Sequence, residues 1–451
     1  MNDSNHSSTR IPGTGDGALA GPVVATVAGP VDSPVVATVA GPVDSPLAAT
    51  VAGPAAGPLA GLRILDMATV VAAPFAAALC ADAGADVVKI ELPAGNDPLR
   101  GLAPVEPDHA LYWKVLNRGK RGISLDVRKP EGRALFLDLI EHFDVLVENF
   151  RPGTLDRWGL DLATLHARNP RLSVLRLTGF GQTGPYANRP GFARIFEAMG
   201  GLAHLTGEAG RDPLHINFPI GDSIAGLFGA FAIAAVAADR ARDRDAPGRE
   251  IDLSATEALL RVLEPLAAEH ERLGAARTRT GARASYTAPS NIYRTRDGIW
   301  VTLVGSSDAI FRRLCQAMEQ SALADDPRFV TNPLRTRNLD ALDGLVAHWF
   351  VDHEYEALRQ RLDEHGVPFS KVYSIADVLD DPHFRARGAI VRLPDPDLGS
   401  LPAPAAVPRF SGHDVPPPRT GPAVGEHNAE VYGALGIDAT TLAKLRAVAA
   451  I

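Results

Sequence analysis

The stretch LRILDMATVVAAPFAAALCADAGADVVKIELP, residues 62–93, decides the fold. Its opening, LRILDMA, is a short apolar run that reads as a buried strand. Residues 70–85, VVAAPFAAALCADAGA, read as a helix of small residues with Pro74 in the first turn, where a missing N–H is tolerated. DVVKIELP is then a second strand. Strand, turn, helix and strand within about thirty residues make a βαβ unit, and such units build parallel sheets.

Working outward, the alternation continues through GISLDV as strand, PEGRALFLDLIEHF as helix, DVLVENF as strand, a helical stretch, and LSVLRLTGF as strand. Residues 59–250 are therefore expected to form a large, Rossmann-like, doubly wound α/β domain. Residues 251–378 are read as a long helical connector, IDLSATEALLRVLEPLAAEHERLG, followed by a smaller α+β domain. That domain holds a strand pair around RDG and helices with polar faces over 308–378. Residues 379–451 turn rich in proline and glycine from about Pro394 and end in a short helix, a pattern expected for a surface segment returning to the large domain. Residues 1–58 stand apart: VVATVAGPVDSP starts at Val23, starts again at Val35, and survives in part at 48–54. Gly-Pro punctuation with few large apolar groups makes a poor core, so a disordered low-complexity tail is expected.

The chain has 451 residues, 46% apolar and 22% charged, an ordinary globular balance. A net charge of −8 argues against nucleic acid or anionic membrane as partner. The best membrane-span candidate, residues 224–238, is alanine-rich, short and stopped by Asp239 and Arg240, so it reads as a buried helix. Residues 1–8 lack the basic start of a secretory signal. Two cysteines, Cys80 and Cys315, with no zinc-type Cys/His spacing, fit a reducing cytoplasm and no bound metal. P-loop, GxSxG and HExxH motifs are absent. The first βα turn, residues 67–74, lacks GxGxxG, which argues against a dehydrogenase.

Several phrases instead occur in order along one family's pattern: LDMATVVAAPFAAALCADAGADVVKIELPAGNDPLRG, NRGKRGISLDVRKPEG, VENFRPGTLDRWGL, NPRLSVLRLTGFGQTGPYANRPGF, PSNIYRTRDGIWVTL, DDPRFVTNPLRTRN and GEHNAEVYGALG. From about residue 59 to 436 the chain resembles the class III (CaiB/BaiF-like) coenzyme A transferases. The resemblance implies that Asp222, in INFPIGDSIAGLFGAFAIAAVAA, is the carboxylate that attacks the donor thioester. It would pass through a mixed anhydride to an aspartyl-CoA thioester, covalent catalysis that divides one difficult exchange into easier steps. Taken alone, Asp followed by Ser ahead of an apolar helix reads as an N-cap, with backbone N–H groups holding the carboxylate ionised.

The resemblance further implies that Val70, Val71 and Ala72 line the thioester. Leu125, Arg128, Asn149, Phe150, Arg151 and Arg157 would bind the rest of coenzyme A, guanidinium groups being suited to its phosphates. Glu197 stands where many members have glutamine; it is either a second acid near the site or a helix-surface carboxylate. Val71 replaces the glutamine of oxalate-using members, and GARASYTAPSNIY lacks their glycine run. Related racemases carry a histidine-aspartate pair where this chain has Phe192 and Ala193, so their two-base proton transfer is not expected. GFARIFEAMGGLAHLTGE is most similar to branches using succinyl-CoA and dicarboxylic acceptors. Also implied are an interlocked homodimer, acyl-CoA and carboxylic acid as the substrates, and no permanently bound cofactor. Two rivals stay open: an acyl-CoA isomerase or hydratase with Asp222 as base, and a non-catalytic subunit of a heteromeric transferase.

Overall fold

The structure, a computed structural model, describes residues 57–451 apart from 107, 275 and 413–415. The expected repeat tail, residues 1–56, lies outside the described residues.

Strand β1 (Arg63–Asp66) leads through helix α1 (Ala72–Asp82) to β2 (Asp86–Glu91), the βαβ unit that residues 62–93 promise. Then come α2 (Leu111–Leu116), β3 (Arg121–Ser124), α3 (Pro130–Leu139), β4 (Val145–Glu148), α4 (Leu162–Arg168), β5 (Ser173–Thr178), α5 (Ala193–Met199), α6 (Ile220–Arg242) and β6 (Glu250–Ser254). The six strands are all parallel, in the order β3-β2-β1-β4-β5-β6. This is the doubly wound order, and its direction reverses between β1 and β4, where ligands of such sheets gather.

Both faces of the sheet are covered. Helices α3 and α4 pack on one side through Phe136, Leu139 and Leu165, against Val88, Ile123 and Leu146. Helices α1 and α6 cover the other, against Ile64, Val87, Val145 and Leu175. Burial on both faces is why these strands read as continuous apolar runs rather than alternating ones. Small residues let α1 and α6 pack closely. A Cβ on Gly226 would lie 2.7 Å from the Ala72 carbonyl, and one on Gly229 would lie 2.9 Å from the Ala76 methyl.

One expectation is overturned at residue 251. The presumed helical connector begins as strand β6, with Ile251 opposite Leu175 and Leu253 opposite Leu177. I-D-L-S alternates with period two, and that local pattern outweighs the helix formers that follow. Ser254 then caps α7 (Ala255–Val262), and Pro265 opens a separate helix, α8 (Pro265–Leu273). The sheet thus extends past residue 250.

A second core follows. Strands β7 (Ser290–Arg294) and β8 (Trp300–Val304), helices α9 (Asp308–Ala317), α10 (Leu339–Asp352) and α11 (Tyr355–Glu364), and strand β9 (Phe369–Lys371) enclose Tyr293, Phe311, Phe329, Trp349 and Phe350. Its sheet is antiparallel, in the order β9-β8-β7. Pro394 lies inside a hairpin of β10 (Ile390–Asp395) and β11 (Gly399–Pro404), paired with Ser400, rather than opening an irregular segment. A two-stranded ribbon is all edge, so proline is tolerated there. Helices α12 (Asn428–Ala434) and α13 (Ala439–Ala447) then bring the chain back to the parallel sheet. Val431, Tyr432, Leu442 and Ile451 enter the core beside Ile123. The Tyr432 hydroxyl donates to the Ser124 carbonyl (2.9 Å), and Asn428 accepts from Ser124 N–H (2.8 Å).

Candidate active site

The turn from β1 into α1 occupies the sheet's switch point and is fixed through its backbone. Asn149, just past the end of β4, accepts from Thr69 N–H (2.9 Å) and donates to the Thr69 carbonyl (2.7 Å). Val70 has φ of +67°, a left-handed conformation that a β-branched residue rarely adopts. Its N–H donates to Asp97 Oδ1 at 3.0 Å. Val71 caps α1 without any side-chain hydrogen bond, so Ala72 and Ala73 open the helix with N–H groups that have no intrahelical acceptor.

Asp222 faces this turn. A cavity of about 150 Å³ is lined by Thr69, Val70, Val71, Ala72, Asn149, Thr178, Phe192 and Asp222, among others. The N-cap expectation does not hold: Pro219 occupies the cap position, and Asp222 is the third residue of α6. Nor do backbone N–H groups keep the carboxylate ionised. Burial pushes its carboxyl up to about 7, with the Glu197 charge adding to the effect. Glu197 is not a helix-surface carboxylate either. It is 1% exposed on α5 and accepts from Gly221 N–H (3.2 Å), with His215 Nδ1 at 2.8 Å from its other oxygen. The same burial, with the Asp222 charge second, pushes the Tyr112 hydroxyl up to about 12.

A second cavity, also about 150 Å³, is lined by Leu125, Arg128 and Phe150 together with Met67, Asn96 and Trp158. The two cavities adjoin along the carboxyl ends of β1 and β4: Met67 and Phe150 line one, Thr69 and Asn149 the other. Arg151 and Arg157 are exposed and line neither. Arg128 is half-exposed and holds Asp126 through both carboxylate oxygens (2.7 and 2.9 Å). A wider groove of about 710 Å³, lined by Arg118, Arg387 and Arg409 among others, contains none of these residues.

Sequence reasoning missed His215 and a group of charges buried beneath the turn: Asp66, Lys89, Asp97 and Lys120. Lys120 Nζ donates to Asp66 Oδ2 (2.8 Å), the Pro74 carbonyl (2.7 Å) and Asn117 Oδ1 (2.9 Å). Lys89 lies 3.6 Å from Asp66 and 3.7 Å from Asp97, and donates to the Ala68 carbonyl. Burial lowers Lys120 to about 8, against the pull of Asp66. For Asp66 burial acts upward, but Lys120 and Lys89 outweigh it and hold the carboxyl below its ordinary value. A signal was present in the sequence: Asp66 and Lys89 interrupt runs read as fully buried strands, where an unpaired charge is prohibitive.

The family model described as CoA-transferase family III matches residues 59–428. A succinyl-CoA–D-citramalate CoA-transferase of Chloroflexus aurantiacus is 42% identical over 388 residues, covering 86% of this chain and 96% of the relative. The alpha subunit of a succinyl-CoA–L-malate CoA-transferase of Chloroflexus aurantiacus is 36% identical, covering 86% of this chain and 91% of that relative. Among solved structures, a CaiB/BaiF family protein from Brucella suis matches at 34% identity with a TM-score of 0.74, covering 84% of this chain and all of that one.

Proposed function

Since the chain belongs to the CoA-transferase family III, we propose that Asp222 is the carboxylate through which it passes coenzyme A from an acyl-CoA donor to a carboxylic acid. The observation that carries this reading is the placement of Asp222: a buried carboxyl that accepts no hydrogen bond among the described residues, walling one cavity with the uncapped start of α1.

In this reading one Asp222 oxygen attacks the thioester carbonyl carbon. The first N–H groups of α1 stabilise the developing oxyanion. The C–S bond breaks, coenzyme A leaves as thiolate, and an acyl-aspartyl anhydride remains. The thiolate then attacks the Asp222 carbonyl carbon, expelling the donor acid as carboxylate and leaving an aspartyl-CoA thioester. The acceptor carboxylate attacks that thioester, thiolate leaves again, and its attack on the acceptor carbonyl yields the new acyl-CoA and frees Asp222. No net proton or electron is consumed. The thioester lies by the 69–72 turn, and the nucleotide end extends toward Leu125, Arg128 and Phe150, with Arg151 and Arg157 as exposed phosphate contacts. Succinyl-CoA as donor and a hydroxy-dicarboxylic acid as acceptor are supported by the names of the two relatives.

A homodimer belongs to the same proposal. It is supported by apolar side chains left exposed from the N-cap of α5 through α6, including Phe192, Ile195, Leu214, Phe218, Leu227 and Phe231. Among the described residues α6 is long and apolar enough to cross a membrane, and a subunit interface gives its outward face a non-lipid partner. The alpha subunit among the relatives keeps a heteromeric assembly as the outcome a sizing experiment must separate. A cytoplasmic location is proposed on the two free, buried cysteines.

Incubation with succinyl-CoA and hydroxylamine, followed by peptide mass spectrometry, tests the chemistry. A hydroxamate on the peptide holding Asp222, absent from Asp222→Ala, is expected. The raised carboxyl and its acidic neighbour also suit a proton-transferring base. Turnover of acyl-CoA with no adduct at Asp222 would replace the transferase by that isomerase reading.

A further inference from the structure

The turn that walls the Asp222 cavity is held from below, and the reaction outlined above gives the buried charges no part. Asp97 Oδ1 accepts from both Val70 N–H (3.0 Å) and Leu99 N–H (2.9 Å). Its Oδ2 is buried with no hydrogen bond and looks onto Lys89 Nζ at 3.7 Å. Lys89 spans Asp97 and Asp66, Asp66 Oδ1 accepts from Ala68 N–H (3.0 Å), and Lys120 ties Asp66 to the Pro74 carbonyl. Two acids and two lysines therefore grip the backbone at Ala68 and Pro74, on both sides of the residues that line the cavity, and at Val70 among them.

We infer that Asp97 is a positioning residue of the transfer reaction, its carboxylate oxygen holding Val70 in the left-handed conformation that sets the 70–72 turn against Asp222. The inference rests on the proposed function for its kinetic consequence and on the geometry alone for the hold itself. Three observations support it. Val70 is the only residue of the turn with positive φ, among the described residues, and a valine stays there only when its surroundings over-determine it. The restraint on its N–H comes from Asp97, twenty-seven residues along the chain, rather than from the turn. The charge cluster is balanced, two carboxylates against two ammonium groups, yet an apolar core of equal volume would be cheaper. What an apolar core lacks is an acceptor for the Val70 N–H.

A double-mutant cycle on the full-length protein, with succinyl-CoA as donor and citramalate as acceptor, tests this. Asp97→Ala is expected to lower kcat roughly 30-fold with KM for acyl-CoA within about 3-fold, because displacement of a lining turn acts on alignment more than on nucleotide binding. Val70→Gly has its own loss, since Val70 lines the cavity, but glycine takes positive φ without restraint. In that background Asp97→Ala is therefore expected to cost under about 5-fold, a coupling that independent sites do not show. Equal losses in the two backgrounds overturn the inference. Asp97→Asn keeps an acceptor oxygen while removing the charge, so it is expected to lose thermal stability yet hold kcat within about 3-fold. If Asp97→Ala does not fold, Asp97→Asn decides the matter: a folded Asn variant with kcat down about 30-fold overturns the assignment.

Inactivity of the wild type toward every acyl-CoA and acceptor tried would count against the proposed reaction, not against the hold on Val70. Hydrogen exchange then decides independently. The Val70 amide is expected to exchange at least about 10-fold faster in Asp97→Ala than in wild type, and within about 3-fold of wild type in Asp97→Asn. Unchanged protection of residues 69–72 in a folded Asp97→Ala overturns the inference whatever the activity.

Discussion

Asp66 and Asp222 are both buried carboxyls within one α/β layer, on either side of the same turn. Around Asp66 stand Lys89 and Lys120, with the Ala68 N–H, and its charge is fully answered. Around Asp222 stand Glu197, itself held by His215, and Tyr112, and among the described residues none donates a hydrogen bond to it. The difference teaches how burial is used. Where cations match acids, burial turns charge into geometry; where an acid faces an acid, burial lifts a carboxyl toward neutrality.

The sharpest way to break that contrast is to neutralise Asp222. Asp222→Asn is expected to lower turnover by at least about 10³-fold, as loss of a covalent nucleophile does, while raising stability at pH 8. Below about pH 4 the carboxyl is neutral folded and unfolded alike. Between there and about 7 only the unfolded chain ionises, so stability falls as pH climbs through that window. An uncharged Asn escapes the penalty. Its gain should reach a few kcal/mol above pH 7 and vanish at acid pH. Melting curves at pH 5 and 8 check this, and a variant less stable at pH 8 than wild type would mean that Asp222 is paired after all. Lys89→Met should do the reverse. Removing one cation leaves Asp66 and Asp97 short of charge and is expected to cost about 3–5 kcal/mol at neutral pH, by denaturant unfolding.

The same contrast explains what the sequence could disclose. The parallel sheet was legible because buried strands announce themselves as apolar runs in residues 62–93 and onward, and because small residues at 72–80 and 225–238 leave no other use for those helices. The family phrases pointed to Asp222, but not to what surrounds it. Glu197, His215 and Asp222 lie on separate elements, and their meeting depends on how α5 and α6 cross the sheet. The N-cap reading of Asp222 failed because a cap depends on where the backbone turns helical, and that happens at Pro219, three residues earlier. The IDLS strand was obscured by the helix formers after it. Asp97 stands in GNDP with nothing in the sequence to single it out, and only the fold shows that its partner is the amide of Val70.

Glu197→Gln probes the acidic centre more gently. Removing the neighbouring charge leaves burial to act alone on Asp222, so its carboxyl should titrate lower. Attack requires the carboxylate, so kcat/KM should rise with pH along a limb near 7 in wild type. In the variant the limb should move down by about one unit, making it roughly 5-fold faster relative to its own plateau at pH 6. His215 and Tyr112 remain beside the site in both proteins, so the shift isolates Glu197. A limb that stays in place would mean that Glu197 is neutral or too well answered by His215 to be felt.

The smallest effect should come from Arg128, where charge is neither buried nor unanswered. Its guanidinium is half-exposed and grips Asp126, whose carboxyl it holds below the ordinary value. An exposed pair of this kind stabilises by well under about 1 kcal/mol, so Arg128→Ala should leave the melting temperature essentially unchanged. Binding is a different matter. On the proposed reading, a coenzyme A phosphate entering the cavity beside Leu125 and Phe150 would compete with Asp126 for the same fork of N–H groups, so part of the attraction would go to exchanging one anion for another. KM for acyl-CoA should rise only about 3–5-fold, with kcat unaltered and the difference shrinking as salt screens the contact. Arg128→Lys should recover little of the loss, since an ammonium lacks the paired donors. A change in kcat would place Arg128 with the buried groups that set geometry, and the distinction between answered, unanswered and exposed charge would then fail at its mildest point.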